Sequence, residues 1–266
     1  MSPAEPLDRL RADLAAEVAA LARVVDPLDA TGLRTPTPAE GWDVADALAH
    51  LAAFDGHATT AIVDPDRFRA ELAHALETGE HPIAAATDRG RSLGPVATRA
   101  WWHEASAGLA AASAALEPGA RLPWYGPDMG AMSFVTARLM ETWAHGQDVR
   151  DAVGAPPEVS DRLRHVADIG VRARPFSYVV RGLEPPAVPI RVELVAPDGS
   201  TWTWGEEAAA DVITGPALDF CLLVTQRRHR DDLSLTVRGG TAEEWARIAQ
   251  AFAGDPGPGR PPLPAS

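Results

Sequence analysis

Lysine is absent from the 266-residue sequence, so every one of its 24 basic residues is an arginine. With abundant alanine and proline, that bias reads as codon usage in GC-rich coding sequence rather than as function. The arginines face 37 acidic residues, for a formal net charge of −13. A surface of that sign repels phosphate backbones and anionic lipid, which excludes a general nucleic-acid or membrane-surface binder. The one dense basic stretch is QRRHR, residues 226–230. Cysteine is nearly absent too. A single residue, Cys221, sits in the apolar run DFCLLV, so no intramolecular disulfide can form and a reducing cytoplasm is the expected compartment. No apolar run approaches the length of a membrane span. The first residues, MSPAEPLDRL, lack the basic and apolar regions of a secretory signal. Aromatic residues make up only 6% of the chain, and 8 of them are tryptophan. Hydrophobic residues at 46% still suffice for one large or two modest cores.

Periodicity organises what is present. Leu7, Leu10, Leu14, Val18, Leu21 and Val25 recur at helical spacing and predict an amphipathic first helix that ends near Pro27. Asp43 predicts an N-cap for a second helix, with Asp46 three residues on in the manner of a capping box. A short insertion helix is expected over 64–78, and a third long helix over 88–116 around Trp101 and Trp102. The Pro/Gly-rich loop EPGARLPWYGPDMG leads into a fourth long helix, roughly 131–153. Four amphipathic helices with one or two longer connections predict a bundle. The pattern then changes. A helix is expected over 160–182. Alternating Ile190, Val192 and Leu194, the Asp198-Gly199 turn, and Trp202 with Trp204 predict a hairpin. ADVITG and LSLTVRGG read as further strands, GPALDFCLLVTQRRHR and TAEEWARIAQAFAG as helices. The expected architecture is mainly α: a four-helix bundle over 1–155, a small α+β domain over 156–254 and a disordered tail over 255–266.

The fourth helix carries ARLMETWAHGQDVRDAVG, which places Glu141, His145 and Asp148 at spacings of four and three. At about 100° per residue, Glu141 and His145 lie about 40° apart, and Asp148 about 20° from Glu141 after two turns. The three share a narrow stripe bordered by Leu139, Met140, Trp143 and Val149. A carboxylate and an imidazole one turn apart can reach one divalent ion, as the familiar His-x-x-x-His zinc pair does. The same spacing also serves an ordinary helix-surface pair. A third ligand must come from another helix. His50, in the apolar setting DALAHLAAF, is the natural candidate, because an imidazole there needs a partner.

Three stretches together resemble the DinB-like metal-binding superfamily, in particular the mycothiol-dependent maleylpyruvate isomerase family. They are TPAEGWDVADALAHLAAFD, MSFVTARLMETWAHGQDVRDAVG and, more weakly, TGPALDFCLLVTQRR. The resemblance is closer to an uncharacterised high-GC bacterial metal-binding subfamily, which leaves the reaction open. It implies a DinB-like bundle in which His50, Glu141 and His145 hold a divalent ion, foremost Zn, with Ni, Fe and Mn as alternatives. It also implies a low-molecular-weight thiol such as mycothiol as cofactor.

The reaction expected on this basis is isomerisation or S-transfer of a small electrophilic, carboxylate-bearing substrate. Asp148 would handle a proton or steer the imidazole, and Arg227 or Arg228 would hold the carboxylate. Against these stand plainer roles: a helix-surface carboxylate for Asp148, and favourable charge at a helix C-terminus for the arginines. Metal-assisted hydrolysis and a non-enzymatic metal-binding sensor scaffold are the competing functions. His57 reads as a capped helix-end histidine, with a pocket residue as the alternative, Trp42 and Trp143 as core, and Cys221 as a small buried hydrophobe. PWYGPDM, residues 123–129, reads as a packed turn that could also lip a pocket. The expected partners are small molecules, with neither nucleic acid nor membrane among them, and the oligomeric state stays open.

Overall fold

The structure, a computed structural model, describes residues 5–263. The chain falls into two compact units that divide between Glu158 and Val159. Among the described residues, no helix is long and apolar enough to cross a membrane.

The first unit is helical. It contains α1 (Glu5–Val25), α2 (Val44–Val63), α3 (Pro65–Thr78), α4 (Pro82–Leu93), α5 (Pro95–Ala114) and α6 (Ala131–Val153). A two-residue ladder of β1 (Arg121–Leu122) and β2 (Met129–Gly130) lies between α5 and α6. The four long helices α1, α2, α5 and α6 form the bundle: α2 packs along α5 and against α6, while α1 packs against α6 and α5. Leu21, Val25, Leu48, Leu51, Trp102 and Val149 meet in the core, all but fully buried. The predicted capping box starts α2. Asp43 accepts from the Asp46 amide at 2.8 Å, and the Asp43 amide donates to the Asp46 carboxylate at 3.2 Å. This satisfies two helix-end donors and fixes where the helix begins, and so which face His50 occupies.

The helix expected over 88–116 is two helices. Gly94 adopts φ +82°, and Pro95 opens α5 at a position where its missing N–H costs nothing. The break turns α4 onto α2. There Gly90 approaches so closely that a Cβ would stand 2.5 Å from the Ala49 Cβ. Gly154, at φ +69°, ends α6.

The second unit comprises α7 (Leu163–Arg172), α8 (Arg174–Val179), β3 (Ile190–Val195), β4 (Thr201–Trp204), β5 (Asp211–Pro216), α9 (Ala217–Val224), β6 (Thr236–Arg238) and α10 (Gly240–Ile248). The predicted single helix over 160–182 is broken between α7 and α8, where Pro175 cannot extend the preceding turn. The hairpin pairs β3 with β4 around Asp198-Gly199, with Leu194 opposite Trp202. β5 joins β3 in parallel rather than continuing an antiparallel meander, and the order β4-β3-β5-β6 makes a mixed sheet. Its core is built on Phe220, Tyr178 and Trp245. Residues 255–263 form no helix or strand. Arg260 nonetheless donates to the Arg227 carbonyl at 2.9 Å, and the Leu263 amide donates to Asp232.

Candidate metal centre

The packing of α2 on α6 brings His50 against Glu141 and His145. Nε2 of His50 and Nε2 of His145 each lie 3.4 Å from the same oxygen, Glu141 Oε2. The three ligand atoms all lie within 4.8 Å of one another, and the two imidazole centroids are 4.5 Å apart. At 3.4 Å these contacts are longer than the 2.7–3.2 Å of a well-formed N–H···O bond. They match instead the edge of a tetrahedron: donors about 2.0–2.1 Å from a common zinc stand about 3.3–3.4 Å apart. Two neutral nitrogens and one carboxylate oxygen are also a donor set that zinc accepts, and three protein donors rather than four leave a position for a further ligand.

The electrostatics agree. Burial, reinforced by the neighbouring His145, lowers the His50 pKa to about 4, so its imidazole is neutral and its nitrogen lone pair available near neutrality. For Glu141, burial pushes the carboxyl pKa up. The hydrogen bonds and charge of the two histidines outweigh burial and hold it well below the ordinary carboxylate range. The site therefore presents a carboxylate anion between two imidazoles. Nδ1 of His50 is buried without a hydrogen-bond partner. His145 differs: its Nδ1 faces Asp148 Oδ2 at 3.5 Å, on the opposite side of the ring from Glu141. Asp148 is 1% exposed, so its carboxylate meets the imidazole out of contact with solvent. That is the arrangement by which a carboxylate fixes the tautomer and direction of a ligating histidine.

Several residues that shape the site carry no pattern visible in the sequence. Trp42, expected in the core, packs partly on it but also stacks on the His145 ring, with centroids 5.8 Å apart and planes at 19°, and leans on His50. Phe54, one turn beyond His50, covers its other side at 4.4 Å. The loop 123–129 packs inward. Trp124 stacks on Phe68, and the Tyr125 hydroxyl lies 2.7 Å from Nδ1 of His57. Burial raises the Tyr125 pKa to about 12, so the phenol is the donor and His57 the acceptor. Asp55 of α2 and Arg138 of α6 form a buried ion pair, with contacts of 2.9 and 3.1 Å. The one available signal for them was their spacing: Asp55 lies five residues past His50, Arg138 three before Glu141.

Trp143 is core, 1% exposed, with its indole N–H donating to the Glu158 carbonyl. Cys221 is fully buried, its thiol donating to Leu163 O, and burial raises its pKa well above the ordinary value. Arg227 and Arg228 belong to the second unit, just past α9. Their guanidinium groups donate to the carbonyls of Thr225 and Arg227 respectively.

A helical bundle with a His–Glu–His cluster between two of its helices, followed by a small mixed-sheet unit, defines a DinB-like protein. Comparison with known proteins gives the family. Residues 14–150 match the profile described as the mycothiol maleylpyruvate isomerase N-terminal domain, and the chain belongs to that family. Residues 186–238 match a second profile, described as wyosine base formation. Two Mycobacterium tuberculosis proteins described as uncharacterized, from strains CDC 1551 / Oshkosh and H37Rv, are each 43% identical over 249 residues, 94% of this chain and 97% of theirs. In three dimensions the chain is similar to the crystal structures of the mycothiol-dependent maleylpyruvate isomerase and of its histidine-to-alanine mutant. The TM-score is 0.59 for each, with 17% identity over 89% of this chain and 95% of the other. At that identity the likeness is one of fold.

Proposed function

We propose that this chain is a divalent-metal-dependent enzyme of small-molecule thiol chemistry, either an isomerase or an S-transferase, with zinc as the ion and mycothiol or a similar thiol as cofactor. The observation that carries the reading is the convergence of two histidine nitrogens on one oxygen of Glu141, each at 3.4 Å. Family membership supports the thiol, and the three-donor set supports a place for it. When bound, the ion would lower the pKa of a coordinated thiol and so supply a thiolate near neutral pH for addition to an unsaturated carboxylic acid.

The chain's own residues have separate tasks. His50, Glu141 and His145 hold the ion. Asp148 holds His145 in one tautomer by facing its Nδ1. Trp42 and Phe54 cover the two imidazoles with ring surface and exclude water from their flanks. For the substrate we assign the carboxylate to Arg227 or Arg228, whose planar guanidinium groups match it bidentately.

The test is metal-loaded protein incubated with mycothiol and a panel of unsaturated acids, followed for isomer and for thioether. Thiol-dependent isomerisation or a stoichiometric thioether supports the proposal. Turnover with water alone would make the protein a hydrolase. Retained metal with no turnover of any pair would make it a metal-binding scaffold. Arg227→Ala and Arg228→Ala that both keep full activity would remove the carboxylate assignment.

A further inference from the structure

α2 carries a second histidine on the face of the first. His50, Phe54 and His57 are spaced by four and three residues, so they fall on one stripe, with His57 about 10 Å further along the axis. Phe54 stands between the two histidines. Its ring centroid is 4.4 Å from that of His50 and 5.5 Å from those of His57 and Tyr125. The buried guanidinium of Arg138 lowers the pKa of His50, His57 and Tyr125 alike, so all three stand within reach of one charge. The metal centre uses His50 and leaves the other end of this stripe without a task.

The protonation of His57 is set by its neighbour. The Tyr125 phenol donates to Nδ1 at 2.7 Å, so a neutral ring carries its proton on Nε2. Burial lowers the His57 pKa, against the opposing pull of Glu71 and Glu80, and keeps the ring neutral near neutrality. Among the described residues His57 makes no other hydrogen bond, and it is half-buried, which leaves Nε2–H open to a ligand. Tyr125 is itself anchored. In its loop Trp124 stacks on Phe68 with planes 5° apart, and Asp128 pairs with Arg69 at 3.2 Å and, through its carbonyl, with Arg121. A phenol held in this way selects the tautomer of the imidazole rather than following it.

We propose that His57 is a catalytic hydrogen-bond donor whose Nε2–H holds the carbonyl oxygen of the unsaturated substrate, with Tyr125 as the positioning residue behind it. The proposal rests on the addition chemistry proposed above and supplies the group that meets the charge it generates. When a nucleophile adds to a double bond conjugated with a carbonyl, its electron pair forms the new bond and the displaced π pair moves to the carbonyl oxygen. His57 keeps its proton throughout: the N–H stabilises the negative oxygen, and expulsion of the nucleophile returns the pair to the double bond. A neutral imidazole suits that task, because it donates a hydrogen bond without giving the proton away. The ring surfaces of Phe54 and Tyr125 keep the local dielectric low, where such a donor is strongest.

Nitrogen-15 NMR of the full-length protein, with and without zinc, reads the ring directly, the His57 signals being assigned by their loss in His57→Gln. Near neutral pH a protonated Nε2 and a bare Nδ1 are expected, and Tyr125→Phe should give a mixture of the two tautomers. Kinetics reads the donor. With a thiol and an unsaturated acid that the wild type turns over, His57→Leu should lower kcat by about a hundredfold at unchanged zinc content. His57→Gln, whose amide presents an N–H near the same place, should recover most of that loss. Tyr125→Phe should lower kcat by less, with KM for the acid little changed. A His57 imidazolium or Nδ1–H tautomer, an unchanged kcat in His57→Leu, or a loss that His57→Gln fails to recover overturns the proposal and leaves the metal centre standing. An unchanged tautomer in Tyr125→Phe overturns the role of Tyr125. A wild type that turns over no pair overturns the addition chemistry itself, and the role of His57 with it.

Discussion

At the scale of single residues, Glu141 is the pivot of the first unit's site, because one of its oxygens meets both imidazoles. Glu141→Ala or His50→Ala should therefore reduce bound metal from near-stoichiometric to a trace, read by elemental analysis of protein purified with zinc. Unchanged content in either variant would remove that residue from the ligand set. Asp148 calls for a subtler substitution. Asp148→Asn keeps the shape of the side chain but loses the negative charge behind Nδ1 of His145. Partners of this kind are worth about 10–100-fold in metal affinity, so chelator competition should show a loss in that range with the metal still bound at saturation. An affinity equal to the wild type would mean that Asp148 neither orients His145 nor tunes it.

At the scale of elements, the site depends on how α2 and α6 are held together. The Asp55–Arg138 pair joins them through two contacts to one carboxylate oxygen, with both side chains about 2–3% exposed. Burial raises the Asp55 pKa, and Arg138 draws it back down. Breaking such a pair from one side strands a buried charge at a cost of about 3–5 kcal/mol. Arg138→Leu should therefore lower stability by that order in urea denaturation, and Arg138→Leu with Asp55→Leu should recover most of the loss. A double variant as unstable as the single one would show that the pair contributes packing rather than charge compensation. The sequence makes some of this architecture legible and hides the rest for a physical reason. Glu141, His145 and Asp148 lie within eight residues of one helix, so spacing alone places them on one stripe. The Asp43–Asp46 box is equally local. Trp42 against His145, or Tyr125 against His57, joins residues about seventy to a hundred positions apart in chain segments whose approach only the packing decides. The breaks at Pro95 and Pro175 were marked by the prolines themselves. The apolar periodicity ran across them and carried the helices on.

At the scale of the whole molecule, the buried histidines tie stability to pH, and the sign follows from their shifts. His50 falls from 6.5 to about 4 on folding, and His57 is lowered as well, in both cases chiefly by burial. As the pH drops below 6.5, the unfolded chain takes up these protons first, so stability present above 6.5 is lost progressively towards pH 4. Glu141, held well below its ordinary value, continues the loss under pH 4.5. Asp55, whose pKa is raised, opposes it. Metal-free protein should thus show a urea midpoint that falls between about pH 6.5 and pH 4. His50→Phe should flatten much of that fall, because it removes the group with the largest resolved histidine shift. Metal acts on the same balance from the other side. An ion that binds only the folded chain stabilises it by about 4 kcal/mol at a thousandfold excess over its dissociation constant, and it competes with protons for His50 and His145. The zinc-dependent gain should accordingly shrink as the pH falls through this window. Hydrogen exchange should place the gain in α2 and α6, with the amides of β3 and β5 unaffected. A gain that stays constant with pH, or protection that appears first in the sheet, would put the metal somewhere other than between His50, Glu141 and His145.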